Sequence, residues 1–403
     1  MTKKQNHKKR NLILTLIAVA LSLLYLGILQ ANTVDHSYAI TIIERSCIYA
    51  VAAVSMNLII GFTGQFSLGT AGFMCIGAYI TGILTIPVDM RDQIYYLYGM
   101  ADWIHDIQMP LIAALLISAI VCGGIAALVG WPVLRLKSDY LAIGTLGFSE
   151  IIRAIFGWDG LGTITNASYG VSNIPAFKNI FECVCICVVC IIVMTLLINS
   201  SYGRAFKAIR DDDIAAEAMG INLFKTKQLS FIVSSAFAGI SGGLLAVFMR
   251  SAVTSTFTVA LTYNILLMVV LGGIGSVSGS ILGAFIVTGS QEWLRFLDKE
   301  YTWAELIPGL NSFTVGAWKV PLLRNGFRMV IFSLLLMIVV LFWNHGLTGS
   351  KEITWDRIFG GLNSLVRKFQ KNKVKVETSE ISDDLKITNS NPKEYEGEME
   401  CQS

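Results

Sequence analysis

The chain has 403 residues, of which 54% are hydrophobic and only 15% charged, and its mean hydropathy is +0.62. A soluble domain of this length needs far more charge on its surface, so composition excludes one. The net charge of +3 says little alone and gives no ground for a nucleic-acid partner; where the basic residues fall matters more, because they mark cytoplasmic loops.

The apolar residues come in blocks of about twenty, the length that crosses a bilayer core. Residues 1–10, MTKKQNHKKR, are strongly basic and lead into a first run at 12–29. That run is longer than a signal-peptide core and has no clear A-x-A site, which predicts a retained helix with its N-terminus inside. A second run covers 39–60, with Glu44 and Arg45 near its outer end, where snorkelling or mutual pairing accommodates them. GFTGQFSLGTAGFMCIGAY, 61–79, opens a third span ending near Pro87; its dense glycines permit a broken helix or very close packing.

Residues 87–108 hold four aspartates and several aromatics, a composition suited to the outer face. Residues 110–130 are the fourth span, after which Arg135 and Lys137 mark a return inside. Residues 140–156 form a short fifth span with Glu150 and Arg153 placed to pair; counting it keeps every basic segment on one side. An outer loop at 157–178 and a sixth span at 180–198 follow. The seventh span, 228–248, carries Ser235, Ala238, Gly239, Gly242 and Gly243 for tight contact. Spans eight and nine, 260–271 and 278–293, flank a turn whose Gly272, Gly275 and Ser278 repeat the spacing of Gly61, Gly64 and Ser67. Three positions of common residue types are readily supplied by chance. A mixed outer segment at 297–325 and a tenth span at 327–343 precede a polar, disordered cytoplasmic tail at 347–403. The expectation is an all-α polytopic membrane protein of about ten transmembrane helices with both termini cytoplasmic. Its domains are a basic terminus 1–10, a transmembrane domain 11–346 and the tail.

Between spans six and seven, residues 200–227 carry Arg204, Lys207, Arg210, Asp211, Asp212, Asp213, Glu217, Lys225 and Lys227. Four consecutive charges, Arg210 to Asp213, would cost about 10 kcal/mol in hydrocarbon. This stretch therefore faces water. The aspartates precede a short alanine-rich run that Gly220 ends, which predicts a helix of about two turns over 211–220. Ile214, Ala218 and Ile221 give it one apolar face, kept shallow by alanine and suited to a cleft in a partner. Arg204, Lys207 and Arg210 are placed to meet lipid phosphate or that partner. A solvated loop with an incidental helix is the alternative.

GRAFKAIRDDDIAAEAMGI resembles the cytoplasmic coupling loop of branched-chain amino acid ABC transporter permeases of the LivM type. GFTGQFSLGTAGFMCIGAY, LRLKSDYLAIGTLGFSEIIR and VVLGGIGSVSGSILGAF are similar to further segments of that family, in order across most of 40–290. The resemblance implies a type II ABC-importer permease fold and a pairing with a LivH-like second permease. It also implies two ABC ATPase subunits, which would bind the ATP, and an extracytoplasmic substrate-binding protein. Arg204, Arg210, Asp211, Asp212, Asp213, Ala215, Ala216, Glu217 and Gly220 would couple to the ATPases. Gly64, Gln65, Ser67, Gly272, Gly275 and Ser278 are the candidates to line the translocation path. The substrate would be leucine, isoleucine or valine, and the site a bacterial or archaeal cytoplasmic membrane.

Two departures stand out. Counting back from Gly220, Ile214 occupies the place of the glutamate in the general ABC-permease loop pattern, ahead of Ala215 and Ala216. In 165–172, Asn166 and Ala167 stand where the family often has a second glycine. Related permeases carry urea, short amides or other amino acids, and a secondary transporter would work without ATP; against the latter, Glu150 is the one candidate for a proton-coupling carboxylate. No G-x-x-x-x-G-K-[ST] occurs, so the chain itself should not hydrolyse ATP. The four histidines, 7, 36, 105 and 345, form no cluster, which argues against an enzyme. Cys183, Cys187 and Cys190 would share a helix face, but in an apolar span they pack as small hydrophobes and bind no metal. Cofactors of its own are not expected.

Overall fold

Backbone amides in hydrocarbon have no water to bond, so each long apolar run must close its own hydrogen bonds as a helix. A computed structural model describes residues 37–135 and 138–294, the short stretches 20–21, 24–31, 333–334 and 346–349, and residues 330, 337 and 352. Residues 22–352 form one unit, and 1–21 with 353–403 another, of which only 20 and 21 are described. The main helices of the larger unit are α1 (Ser37–Asn57), α2 (Thr70–Thr85), α3 (Leu111–Val133), α4 (Ser138–Phe156), α5 (Ile180–Asn199), α6 (Ser201–Asp211), α7 (Asp213–Ala218), α8 (Leu223–Met249), α9 (Val259–Gly272) and α10 (Val277–Trp293). The expected spans at 12–29 and 327–343 lie mostly outside the described residues, as do 1–10, 297–325 and the tail beyond 352.

Among the described residues, α1 with its continuation to Phe62, α3, α5 and α8 are long and apolar enough to cross a membrane. Tyr140–Phe156 and the short helices to Thr165, bent by 62°, make a fifth candidate. The chain is thus a multi-pass helical membrane protein. The segments α2, α9 and α10 have 16, 14 and 17 residues. At 1.5 Å per residue each is about 21–26 Å long, shorter than the ~30 Å hydrocarbon core.

The centre is α1. Its apolar window is 89% buried, against 33% for α3 and 28% for α5, whose Leu116, Ile120, Leu128, Val189 and Leu196 point outward. Interior helices are tied by hydroxyls to backbone: Ser234 Oγ donates to Ser55 O, and Ser241 Oγ to Ile48 O at 2.9 Å, joining α8 to α1. The small residues of α8 do bring it close to its neighbours, since a Cβ on Gly242 would lie 2.0 Å from Met74 O of α2. Cys183, Cys187 and Cys190 are buried on one face of α5, which packs on α1.

The glycine-rich stretch is broken, as its glycines permit: α1 runs on through a π-helical turn, Leu58–Phe62, and residues 63–69 are non-helical before α2 starts. Two expectations shift. Arg45 pairs not with Glu44 but with Glu292 of α10, at 2.7 Å. The water-facing loop is shorter than 200–227, because Asn222 caps α8 by accepting from Lys225 N–H, which places Lys225 and Lys227 on the helix. Glu150 and Arg153 pair as expected, with Nε and Nη2 of Arg153 at 2.8 and 2.6 Å from one carboxylate oxygen.

At one end of the bundle lie 87–109, 157–178 and 250–258, where β1 (Val171–Ser172) pairs antiparallel with β2 (Ser251–Ala252). The guanidinium of Arg91 is fully buried there and donates to the carbonyls of Ile83, Ile86, Ile104, His105 and Ile107, which pins the loop onto the end of α2. Nearby, His105 lies 3.1 Å from Asp106 and 3.3 Å from Asp92, and bonds to Asp106 first and Asp92 second raise its pKa above the ordinary 6.5. A raised folded-state value means that its contribution is complete below pH ~6.5 and is lost as pH rises through the folded pKa. Protection of 100–108 from proteolysis should therefore weaken from pH 6 to pH 8, and His105→Asn should abolish that dependence.

The positions that lack the family's glycine keep the backbone a glycine would favour. Asn166 and Ala167 have φ of 58° and 50°, and Ala167 is fully buried. Asparagine tolerates this region, alanine poorly. Ala167→Gly is expected to stabilise the protein by about 1 kcal/mol, read as a higher melting temperature in detergent.

Candidate functional site

At the other end of the bundle, residues 61–69, 134–135, 200–222, 273–278, 346–349 and 352 come together. The three aspartates of the charged loop have three different partners. Asp211 ends α6 and takes Nε and Nη2 of Arg210 at 3.0 and 2.8 Å. Asp212 is the N-cap of α7, accepting from the N–H groups of Ile214 and Ala215. Asp213 binds Lys227 at 2.7 Å, fastening α7 to the first turns of α8. The expected helix over 211–220 is thus the shorter α7, and the basic run before it is a helix of its own. Gly220 (φ +84°) closes α7, with its N–H on Glu217 O and that of Ile221 on Ala216 O.

The expected apolar face of α7 is open at Ile214 and Ala218. Ala216 is buried, so it is a packing residue of the loop, while Ile214 and Met219 stand 82% and 83% exposed. Ala215, Glu217 and Ala218 are exposed beside them. A six-residue helix has too few turns to bury one face and hide another; its single inward position goes to the smallest side chain. α6 buries Gly203, Phe206 and Ile209 and exposes Tyr202 and Arg204, with Arg204 Nη2 donating to Ser201. Arg135 stacks over Trp131 at 4.2 Å and faces Phe224 at 5.8 Å.

Arg210 is exposed on the loop and also reaches the first glycine turn. Its Nη1 donates to Gly61 O at 3.0 Å, and its side chain lies against Gly64 and Gly275. The two glycine turns meet here. A Cβ on Gly61 would sit 2.4 Å from Gly275 N, so the approach requires glycine. Gly64 and Gly275, at equivalent places in the repeated spacing, have φ of +75° and +84°, a likeness of backbone beyond that of spacing. Asn57 completes the junction: Nδ2 donates to Ser276 O (2.9 Å) and Ser280 Oγ (2.8 Å), and Oδ1 accepts from Gly275 N (2.9 Å). Sequence reasoning passed over Asn57, although a lone amide inside an apolar span was the available signal.

The remaining candidate path residues lie in the same place. Gln65 is buried with Nε2 on Lys227 O, Ser67 is buried near the start of α2, Gly272 abuts Gly279, and Ser278 binds Glu352. A cavity of about 430 Å³ opens between Gly64, Gln65, Leu141, Arg210 and Asp213. Among the described residues no group of three or more His, Cys, Asp or Glu could hold a metal ion. The arrangement is mechanical in kind: an exposed short helix tied through one arginine to the junction of two broken segments.

Residues 38–315 match the family model of the branched-chain amino acid transport system permease component. The chain belongs to that family. It is 29% identical to the high-affinity branched-chain amino acid transport system permease protein LivM of Salmonella typhimurium over 290 residues, 64% of each chain. With the probable LivM protein of Methanocaldococcus jannaschii it shares 25% over 265 residues, 59% of this chain and 75% of that one. With the LivH permease of Salmonella typhimurium it shares 26% over 283 residues, 63% and 84%. These matches sort the permease with the LivM type. The match spans less than two thirds of the bacterial LivM proteins' length. No solved structure matches.

Proposed function

We propose that the chain is the LivM-like half of the permease of an ATP-driven importer for leucine, isoleucine and valine, in the cytoplasmic membrane of a bacterium or archaeon. It crosses ten times with both ends in the cytoplasm and forms the path with a LivH-like partner. Two ABC ATPases, which bind the ATP, dock on α7, and a soluble binding protein delivers substrate to the opposite face. The distribution of basic residues supports the orientation: Arg135, Arg204, Lys207, Arg210, Lys225 and Lys227 lie at the α7 end, against Arg91, Lys178 and Arg250 at the other. Closure of the ATPases pushes on α7, and the push passes through Arg210 to the glycine turns. Gly64, Gln65, Ser67, Gly272, Gly275 and Ser278 then stand at the inner end of the path.

The observation that carries the reading is the exposure of Ile214 and Met219 on a capped helix that otherwise faces water. Two large apolar side chains there fit a cleft better than solvent. In a complex assembled with its ATPases, Ile214→Asp and Met219→Asp should each lower ATPase association and uptake by about tenfold, the loss of one buried apolar anchor. Unchanged association and uptake in both variants would exclude α7 as the docking helix.

A further inference from the structure

Residues 346–349 and Glu352 lie beyond the family match at 38–315 and lie against the turn between α9 and α10. Leu347 N–H donates to Leu271 O at 2.9 Å, and Thr348 N–H and Oγ1 donate to Gly272 O at 3.2 and 2.7 Å. These bonds satisfy carbonyls at the C-terminus of α9. Glu352 serves the other helix. Its carboxylate accepts from the N–H groups of Val277 (2.8 Å) and Ser278 (3.1 Å), from Ser278 Oγ (2.6 Å) and from Ser276 Oγ (3.4 Å). An anion at this place meets free N–H groups and the positive end of the helix dipole.

One short segment therefore closes the end of α9 and the beginning of α10 together. The same turn is held from the opposite side by Asn57 and touched by Arg210. Glu352, Lys207 and Arg210 line one cavity of about 310 Å³ between α6 and the turn, so the carboxylate also sits among the cations of the charged loop. We propose that 346–349 and Glu352 form a clasp that holds the second glycine turn in register with Arg210, and that Glu352 is a positioning residue for coupling. The role rests on the coupling reading above; the contact itself does not.

The test uses the full-length permease in its assembled, reconstituted complex, with two readouts. The first is amide exchange at Val277 and Ser278 by mass spectrometry, which Glu352→Gln should speed by about tenfold as a charged hydrogen-bond acceptor is lost. The second is the number of substrate molecules taken up per ATP hydrolysed, which Glu352→Gln should lower at least threefold while Glu352→Asp, keeping the charge, retains most of it. Unchanged exchange overturns the clasp. Faster exchange with an unchanged transport ratio leaves a plain helix cap and overturns the positioning role. Equal losses in the Asp and Gln variants overturn the role of the charge. A wild-type complex without ATP-driven uptake overturns the importer reading instead, and the exchange result still decides the clasp.

Discussion

Arg210→Ala is expected to cut ATP-driven uptake by about tenfold or more while ATP hydrolysis continues, because a charge-assisted hydrogen bond worth roughly 1.5–3 kcal/mol is lost at the joint. The two carboxylate contacts to Asp211 hold the guanidinium in one orientation, and its remaining arm reaches Gly61 O, 149 residues away in sequence. Removal leaves α7 free to bind its partner through Ile214 and Met219, yet without a rigid link to the glycine turns. Arg210→Lys should recover only part of the loss, since an ammonium cannot bond Asp211 and Gly61 in the same fork geometry. Arg204→Ala serves as the comparison: that side chain is exposed and bonds only Ser201, so its loss should change uptake little. The assay is uptake and hydrolysis measured on the same proteoliposomes. Equal falls in both for Arg210→Ala would place the arginine in docking and not in transmission.

Asn57→Leu is expected to destabilise the permease by about 1–3 kcal/mol, because it leaves the buried Gly275 N–H without its partner, while the Ser276 C=O keeps the Ser280 N–H and Oγ. Asn57 is fully buried, and its amide makes two bonds to the α9–α10 turn and one to Ser280 of α10. Leucine keeps the branching of asparagine and leaves no cavity, but its methyl groups are bulkier, so overpacking adds to the lost bonds. The Gly275 N–H lies at the meeting of two chain segments with little water to replace the amide. Thermal unfolding in detergent measures the effect. A melting temperature within a degree of wild type would show that the turn is held from elsewhere.

Local chemistry made some of this protein legible in one dimension. Blocks of apolar residues about twenty long determine that the chain lives in a membrane, and four adjacent charges at 210–213 cannot follow them in. Asp212 and Gly220 are cap residues whose role depends only on their immediate neighbours, so a helix between them was readable, if not its true first residue. The family resemblance was readable for the same reason, being spread in order along the chain.

Other features depend on partners far away in sequence, and there the reading stopped. Asn57 lies 218 residues from Gly275, and Glu352 lies 75 from Val277; no periodicity links such pairs. The charge of Arg210 is visible in the sequence, but its bond to Gly61 is not. The resemblance names Ala216 for coupling, and nothing in six residues of pattern shows that it is buried. The sequence alone determined that the chain enters a bilayer as helices and that the charges at 210–213 do not follow, since solvation acts on each segment separately. Only the tertiary structure decided what that stretch holds on to, because hydrogen bonds between distant turns exist only once the helices between them have packed.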